Sequence, residues 1–167
     1  MDLNQLKEIL ENHALWIKSN KNEGQKADLN GTDLSNANLN GAYLFNANLS
    51  GANLMFADLS GAYLYNANLS NAKLRYADLS GADLIDTDLN GADLSGAYLR
   101  DTDFSGAELS NTDLRGADLS NAELGKEKLY SQNETSYLTN KNKILVFNKI
   151  NCNTMTIEDA RIHWTSL

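Results

Sequence analysis

A five-residue register constrains what this 167-residue chain can fold into. From Ala27 to Leu124 a small residue, a variable residue and a large apolar residue recur every five positions, twenty times without a break. The large residue is leucine except at Phe104. The small one is alanine sixteen times and threonine at Thr32, Thr87, Thr102 and Thr112. A helix wants apolar spacing near 3.6 and a strand a spacing of 2, so neither runs through this segment unbroken. Side chains two apart do share one side of an extended piece. The next small residue comes three positions after the leucine, so the chain must turn between units. The residue two after each leucine agrees with this. It is glycine nine times, asparagine six times and aspartate twice, types that tolerate positive φ; the exceptions are Phe56, Tyr76 and Lys126.

A longer period lies over the short one. Residues 41–50, GAYLFNANLS, return as GAYLYNANLS at 61–70, and GANLMFADLS at 51–60 returns as NAKLRYADLS at 71–80. Four units therefore make one coil. The twenty units predict about five coils, stacked about 4.8 Å apart in a rod about 24 Å long. Every leucine from Leu29 to Leu124, and every alanine or threonine two before it, is expected to face inward.

These residues resemble the pentapeptide-repeat family over 27–124. The resemblance implies an all-β solenoid, a right-handed quadrilateral β-helix with leucine at its centre. The chain then divides into an N-terminal helical cap (1–26), the β-helix (27–124) and a C-terminal segment (125–167). In the first part, Asp2 and Gln5 have capping-box spacing. Leu3, Leu6, Leu10, Ala14 and Ile17 form a helical stripe flanked by Ile9 and Trp16, and Asn20 to Gly24 provides a stop. The stripe is expected to cover the first coil, with His13 packing there; its polar face lacks the basic excess of a membrane-binding helix. In the last part, 144–147 reads as a short strand and 156–164 as a short helix. This tail caps the last coil, covers surface residues, or pairs two molecules as in relatives that dimerise at that end.

The net charge of −8 is unevenly spread: residues 27–124 hold fourteen acids against four bases. Direct nucleic-acid binding is disfavoured on charge. No apolar run is long enough for a membrane helix, and the N-terminus lacks a signal-peptide pattern. The lone Cys152 allows no intrachain disulfide, so the expected setting is reducing and cytoplasmic. His13, His163 and Cys152 lack metal-ligand spacing, no phosphate-binding loop is present, and a leucine-filled rod leaves no substrate cavity. Neither cofactor nor metal nor catalytic residue is expected.

The outer surface remains. Residues twenty apart stack in columns. One face puts Tyr43, Phe45, Tyr63, Tyr65 and Ile85 together as an apolar and aromatic patch, and another adds Met55, with Phe56 and Tyr76 at its corner. Such patches mark interaction surfaces, but they also occur as simple ladders or under a covering tail. The C-terminal half gathers acids: Asp78, Asp83, Asp88, Asp93, Asp103, Glu108, Asp113, Asp118 and Glu123, with Asp86 and Asp101 at corners. The leading expectation is a non-catalytic interaction or scaffold module with an unidentified protein partner. The alternative, drawn from the resemblance, is an acidic mimic of duplex DNA that binds DNA gyrase or topoisomerase IV.

Overall fold

The computed structural model describes residues 1–123 and two further strands, β1 (Thr135–Asn140) and β2 (Lys143–Asn148), which pair antiparallel. The run at 144–147 lies within β2. Leu124, Lys126, Cys152, His163, the helix expected at 156–164 and the role of the tail lie outside the described residues.

Residues 27–123 wind as a β-solenoid in which each position before a leucine pairs, in parallel, with the one twenty residues later. Four rows result. The first runs Asp28, Asn48, Asn68, Asp88, Glu108, and the second Asp33, Asn53, Lys73, Asp93, Asp113. The third runs Asn38, Asp58, Asp78, Tyr98, Asp118, and the fourth Tyr43, Tyr63, Asp83, Asp103, Glu123. Each face takes the name of its first residue.

Every amide in a unit has a destination, and that accounting explains the sequence pattern. In the unit around Leu49, the Leu49 amide donates forward to Asn68 (2.7 Å) and the Gly51 amide forward to Ser70 (2.8 Å). The Asn48 amide donates back to Ala27 (2.9 Å), and the Ala52 amide closes the turn on Leu49 (3.0 Å). The fifth amide, of Ser50, donates to the side-chain oxygen of Asn48, two residues earlier (3.3 Å). Asp58, Asn68, Asp78 and Asp118 serve Ser60, Ser70, Ser80 and Ser120 in the same way at 2.9–3.1 Å. An Asn or Asp before the leucine is therefore a backbone acceptor as well as a surface residue.

Each corner is a tight turn with one positive φ, at its third residue, as a type II turn requires. All corner residues from Gly31 to Asn121 adopt it, including Phe56 (+59°) and Tyr76 (+57°). Inside, the leucines from Leu29 to Leu119 and Phe104 are buried. The small positions are buried too, except Thr32, Ala37, Ala42 and Ala122, which are half-buried. These four lie at the two ends of the described solenoid, where neighbouring coils do not cover them on both sides.

The threonines add a detail. Thr87, Thr102 and Thr112 donate their hydroxyls to the carbonyls of Leu64, Leu79 and Leu89, in the coil before, at 2.7–2.9 Å. The Leu64 carbonyl already accepts the turn amide of Ala67 (2.9 Å), so the hydroxyl takes its second lone pair. Thr32 has no preceding coil, and its hydroxyl turns to Leu29 in its own (2.7 Å).

Helix α1 (Leu3–Lys18) opens with the capping box: Asp2 accepts from the Gln5 amide (2.9 Å), and Gln5 accepts from the Asp2 amide (3.2 Å). Leu6 joins the buried core, with Ile9 and Leu10 packed against it. Leu3 does not: it is 82% exposed, so the packed stripe begins one turn later than expected. His13 is fully buried and accepts the Ala27 amide at Nδ1 (3.1 Å), which ties α1 to the start of the solenoid.

Candidate functional site

Of the five residues expected to form a patch on the Tyr43 face, Tyr43, Phe45 and Tyr63 are in ring contact. Tyr43 and Tyr63 stack in parallel, 5.0 Å apart with 4° between their planes. Phe45 tilts against both, 6.1 Å from Tyr43 and 5.8 Å from Tyr63. Tyr43, Tyr63 and Tyr65 are exposed, while Phe45 and Ile85 are half-buried, so tyrosine dominates what the patch shows to solvent. Above it the same column turns acidic, Asp83 pairing with Asp103 and Asp103 with Glu123. Tyr98, exposed on the Asn38 face between Asp78 and Asp118, was not picked out from the sequence because it stands alone in its column.

The acids are distributed by face. Among the described residues, the Asp28 face carries Asp28, Asp88 and Glu108 with no base. The Asp33 face is neutral, with Asp33, Asp93 and Asp113 against Lys73, Arg75 and Arg115. The remaining acids stand on the Asn38 and Tyr43 faces and their corners, opposed by Arg100. Arg100 bonds Asp118 at 2.6 Å and Arg115 bonds Asp113 at 2.5 Å. These contacts set the acids' titration. Hydrogen bonds from the Ser120 side chain and from Arg100 bring Asp118 down to about 2. Arg115 holds Asp113 below the usual carboxylate range, and Ser60 does the same for Asp58.

Among the described residues, His13 is the buried titratable group. Burial, with Lys26 nearby, lowers its pKa; the Phe45 backbone opposes the shift. Its ring stacks on Trp16 (5.6 Å, 16°), and Nε2 is buried without a well-formed hydrogen bond. With Nδ1 occupied as an acceptor, the ring is neutral and structural. An open groove of about 700 Å³ runs between α1 and the first coil, lined by Gln5, Glu8, Ile9, Lys26, Asp28 and Asp33 among others. Its carboxylates do not converge. Among the described residues no cluster of His, Cys, Asp or Glu could hold a metal ion, and no helix is long and apolar enough to cross a membrane.

The pentapeptide-repeat profile matches residues 25–61, 52–91 and 92–125, with eight copies. Among solved structures, the chain is similar to the pentapeptide repeat protein Rfr23 of the cyanobacterium Cyanothece 51142, at 27% identity, covering 74% of this chain and 95% of that one with a TM-score of 0.62. It is also similar to a pentapeptide repeat protein of the Arabidopsis thaliana thylakoid lumen (35% identity, 53% and 66% coverage, TM-score 0.41). A third is QnrB1, a plasmid-mediated fluoroquinolone resistance protein (26% identity, 66% and 60% coverage, TM-score 0.34). No curated protein matches the sequence. The unbroken five-residue register, the twenty-residue pairing and the profile match together make this chain a member of the pentapeptide-repeat family, folded as a right-handed β-helix.

Proposed function

We propose that the protein is a non-catalytic interaction module: a rod of five coils, capped by α1, that binds a protein partner through the tyrosine-rich part of the Tyr43 face. The observation that carries the reading is the exposed stack of Tyr43 on Tyr63, with Phe45 tilted against it and Tyr65 exposed on the same face: large amphipathic rings on a rigid wall. Tyrosine is enriched at interfaces because it offers large contact area at low entropic cost together with a polar tip. A rigid wall adds little ordering cost on binding.

The test is a crosslinked pull-down from native cell extract with wild-type protein and with Tyr63→Ser/Tyr65→Ser. A partner retained by the first and lost by the second supports the reading, provided the variant melts like the wild type. Identical capture by both would remove the Tyr43 face as the site.

A second reading, the acidic mimic of duplex DNA, draws on the stacking of like charges: Asp83 on Asp103, Asp93 on Asp113, and Asp88 on Glu108. The neutral Asp33 face counts against a charge that wraps the rod, and most of these acids already accept the backbone amide two residues later. A gyrase supercoiling assay separates the two. Absence of inhibition and of quinolone protection at micromolar protein removes the mimic.

A further inference from the structure

The corner between the Asp33 and Asn38 faces carries two side chains that the fold does not ask for. Phe56 and Tyr76 sit at φ +59° and +57°, where every other described corner residue is glycine, asparagine or aspartate. Their own column shows what suffices there: Asn36 below them, Gly96 and Gly116 above. A bulky residue in the left-handed region is a genuine outlier, and such strain persists where something else requires the side chain. Burial within the described chain does not supply the requirement, because Phe56 is 55% and Tyr76 47% exposed. The rings stack on each other, 5.3 Å apart and 17° between planes. Tyr76 also lies over Gly96, so closely that a Cβ on Gly96 would stand 2.5 Å from the ring.

Charge says what the corner is suited to. Arg75 lies 5.7 Å from the centre of the Tyr76 ring and reaches Asp93 only at 3.9 Å. Lys73, exposed in the Asp33 row, has no ion pair among the described residues. The other two cations of the solenoid are held closely, Arg100 on Asp118 and Arg115 on Asp113. The two loosely held cations of an acidic rod thus share the Asp33 face, which adjoins its two strained, exposed rings, and Arg75 lies over the Tyr76 ring itself; Met55 is next to Phe56 in the chain.

We infer that the Phe56–Tyr76 corner is a docking site, separate from the Tyr43 face, for a protein segment that presents an aromatic or large apolar side chain beside a carboxylate. The side chain extends the ring stack, and the carboxylate meets Lys73 and Arg75. The acidic Asn38 face on the other side of the corner repels the same segment and so orients it.

The experiment measures binding of two fluorescein-labelled peptides, Glu-Trp-Asp-Leu and Lys-Trp-Lys-Leu, to the full chain by anisotropy, alongside thermal melts. The acidic peptide should bind, and the basic one should not. Phe56→Asn/Tyr76→Asn and Lys73→Gln/Arg75→Gln should each weaken the acidic peptide about tenfold or more, whereas Tyr63→Ser/Tyr65→Ser should leave it unchanged, which separates this site from the Tyr43 face. Phe56→Asn/Tyr76→Asn should melt at or above the wild-type temperature, because asparagine relieves the backbone. A lower melting temperature would mean that the rings pack against this chain's own remaining segment, and would overturn the inference. So would failure of the acidic peptide to bind, equal binding of the basic peptide, or retention of binding in the asparagine variant.

Discussion

The two halves of the solenoid share one backbone and differ in what stands before each leucine. Below Asp78 the position often holds asparagine, as at Asn48, Asn53 and Asn68; from Asp78 upward it is mostly aspartate or glutamate. Both types give the backbone the same oxygen, and Asn68 and Asp78 accept the amides of Ser70 and Ser80 alike at 2.9 Å. What differs is the contact up the column. Asn48 donates its side-chain amide to Asp28 (2.8 Å), and Asn53 donates to Asp33 (3.0 Å). In the upper half, Asp83 on Asp103 and Asp93 on Asp113 set carboxylate over carboxylate. Like charges directly opposed are destabilising, and Arg115 and Arg100 relieve some of this but not the Asp83 column. The local role of the residue permits either choice, so the switch from Asn to Asp is a surface decision laid over an unchanged scaffold.

If the scaffold is unchanged, a core deletion should cost the same in either half. Leu54 and Leu94 stand on the same face two coils apart, both fully buried. Leu54→Ala and Leu94→Ala should each destabilise by about 2–5 kcal/mol in urea unfolding. A difference between them well beyond the uncertainty of the fit would show that the halves are not one cooperative unit and break the comparison. In a solenoid, whose coils contact only their neighbours, that outcome is physically accessible.

The corners should give the next largest effect. Gly51→Ala meets nothing within 4 Å and carries only the left-handed backbone penalty, about 1–2 kcal/mol. Gly96→Ala carries that penalty and must also displace the Tyr76 ring. It should be the more destabilising of the two, and the excess should vanish in a Tyr76→Asn background, as a double-mutant cycle would report. An excess that survives Tyr76→Asn would mean that the crowding at Gly96 is not due to the ring.

Exchanging the surface chemistry between halves should act in opposite directions. Asp83→Asn/Asp103→Asn keeps the side-chain acceptors and removes the stacked charges, for a gain of a few tenths to about 1 kcal/mol. Asn48→Asp, whose row neighbours are Asp28 and Asn68, turns the bond to Asp28 into a like-charge contact and should lose a similar amount. Raising salt should shrink both changes, because the pairs are solvent-accessible and screened over about 8–10 Å. If both exchanges move stability the same way, the column contacts do not distinguish the halves.

The solenoid was legible in the sequence because its cause is periodic. One register places every leucine, and one offset of twenty places every column, including the stacks of Tyr43 on Tyr63 and Asp83 on Asp103. What stayed hidden depends on position rather than period. Thr32 reads like Thr87, yet its hydroxyl bonds within its own coil because there is none before it. Leu3 fits the helical stripe but lies in the first turn, away from the core. Phe56 and Tyr76 were visible as misfits, but their overlap with Gly96 arises between coils, where the five-residue pattern is silent. The pairing of His13 with Ala27 joins two elements that no repeat relates, and that junction has its own pH dependence.

Acid should separate the ends of the molecule by window, with effects confined to each end. His13 has a pKa below its ordinary 6.5 because it is buried, so the unfolded chain binds the proton more readily. Stability therefore rises with pH through this group: its contribution is complete above about pH 6.5 and is lost as pH falls through the lowered folded value. Protonation also occupies Nδ1, the acceptor of the Ala27 amide. Asp118 is likewise lowered, from 3.8 to about 2, but for a carboxylate the contribution is present above about pH 4 and lost as pH falls towards 2. The α1 junction should thus loosen first, while residues near Asp118 hold until much lower pH. Hydrogen exchange resolved by segment, after correction for the intrinsic pH dependence of exchange, should show protection in α1 falling between about pH 6.5 and 5 with residues 109–120 unchanged. His13→Phe removes both the acceptor and the titration, so its α1 should be less protected at pH 7.5 and insensitive to pH over that range. If wild-type α1 keeps full protection at pH 5, or if His13→Phe retains the pH dependence, the imidazole is not what fastens the helix to the solenoid.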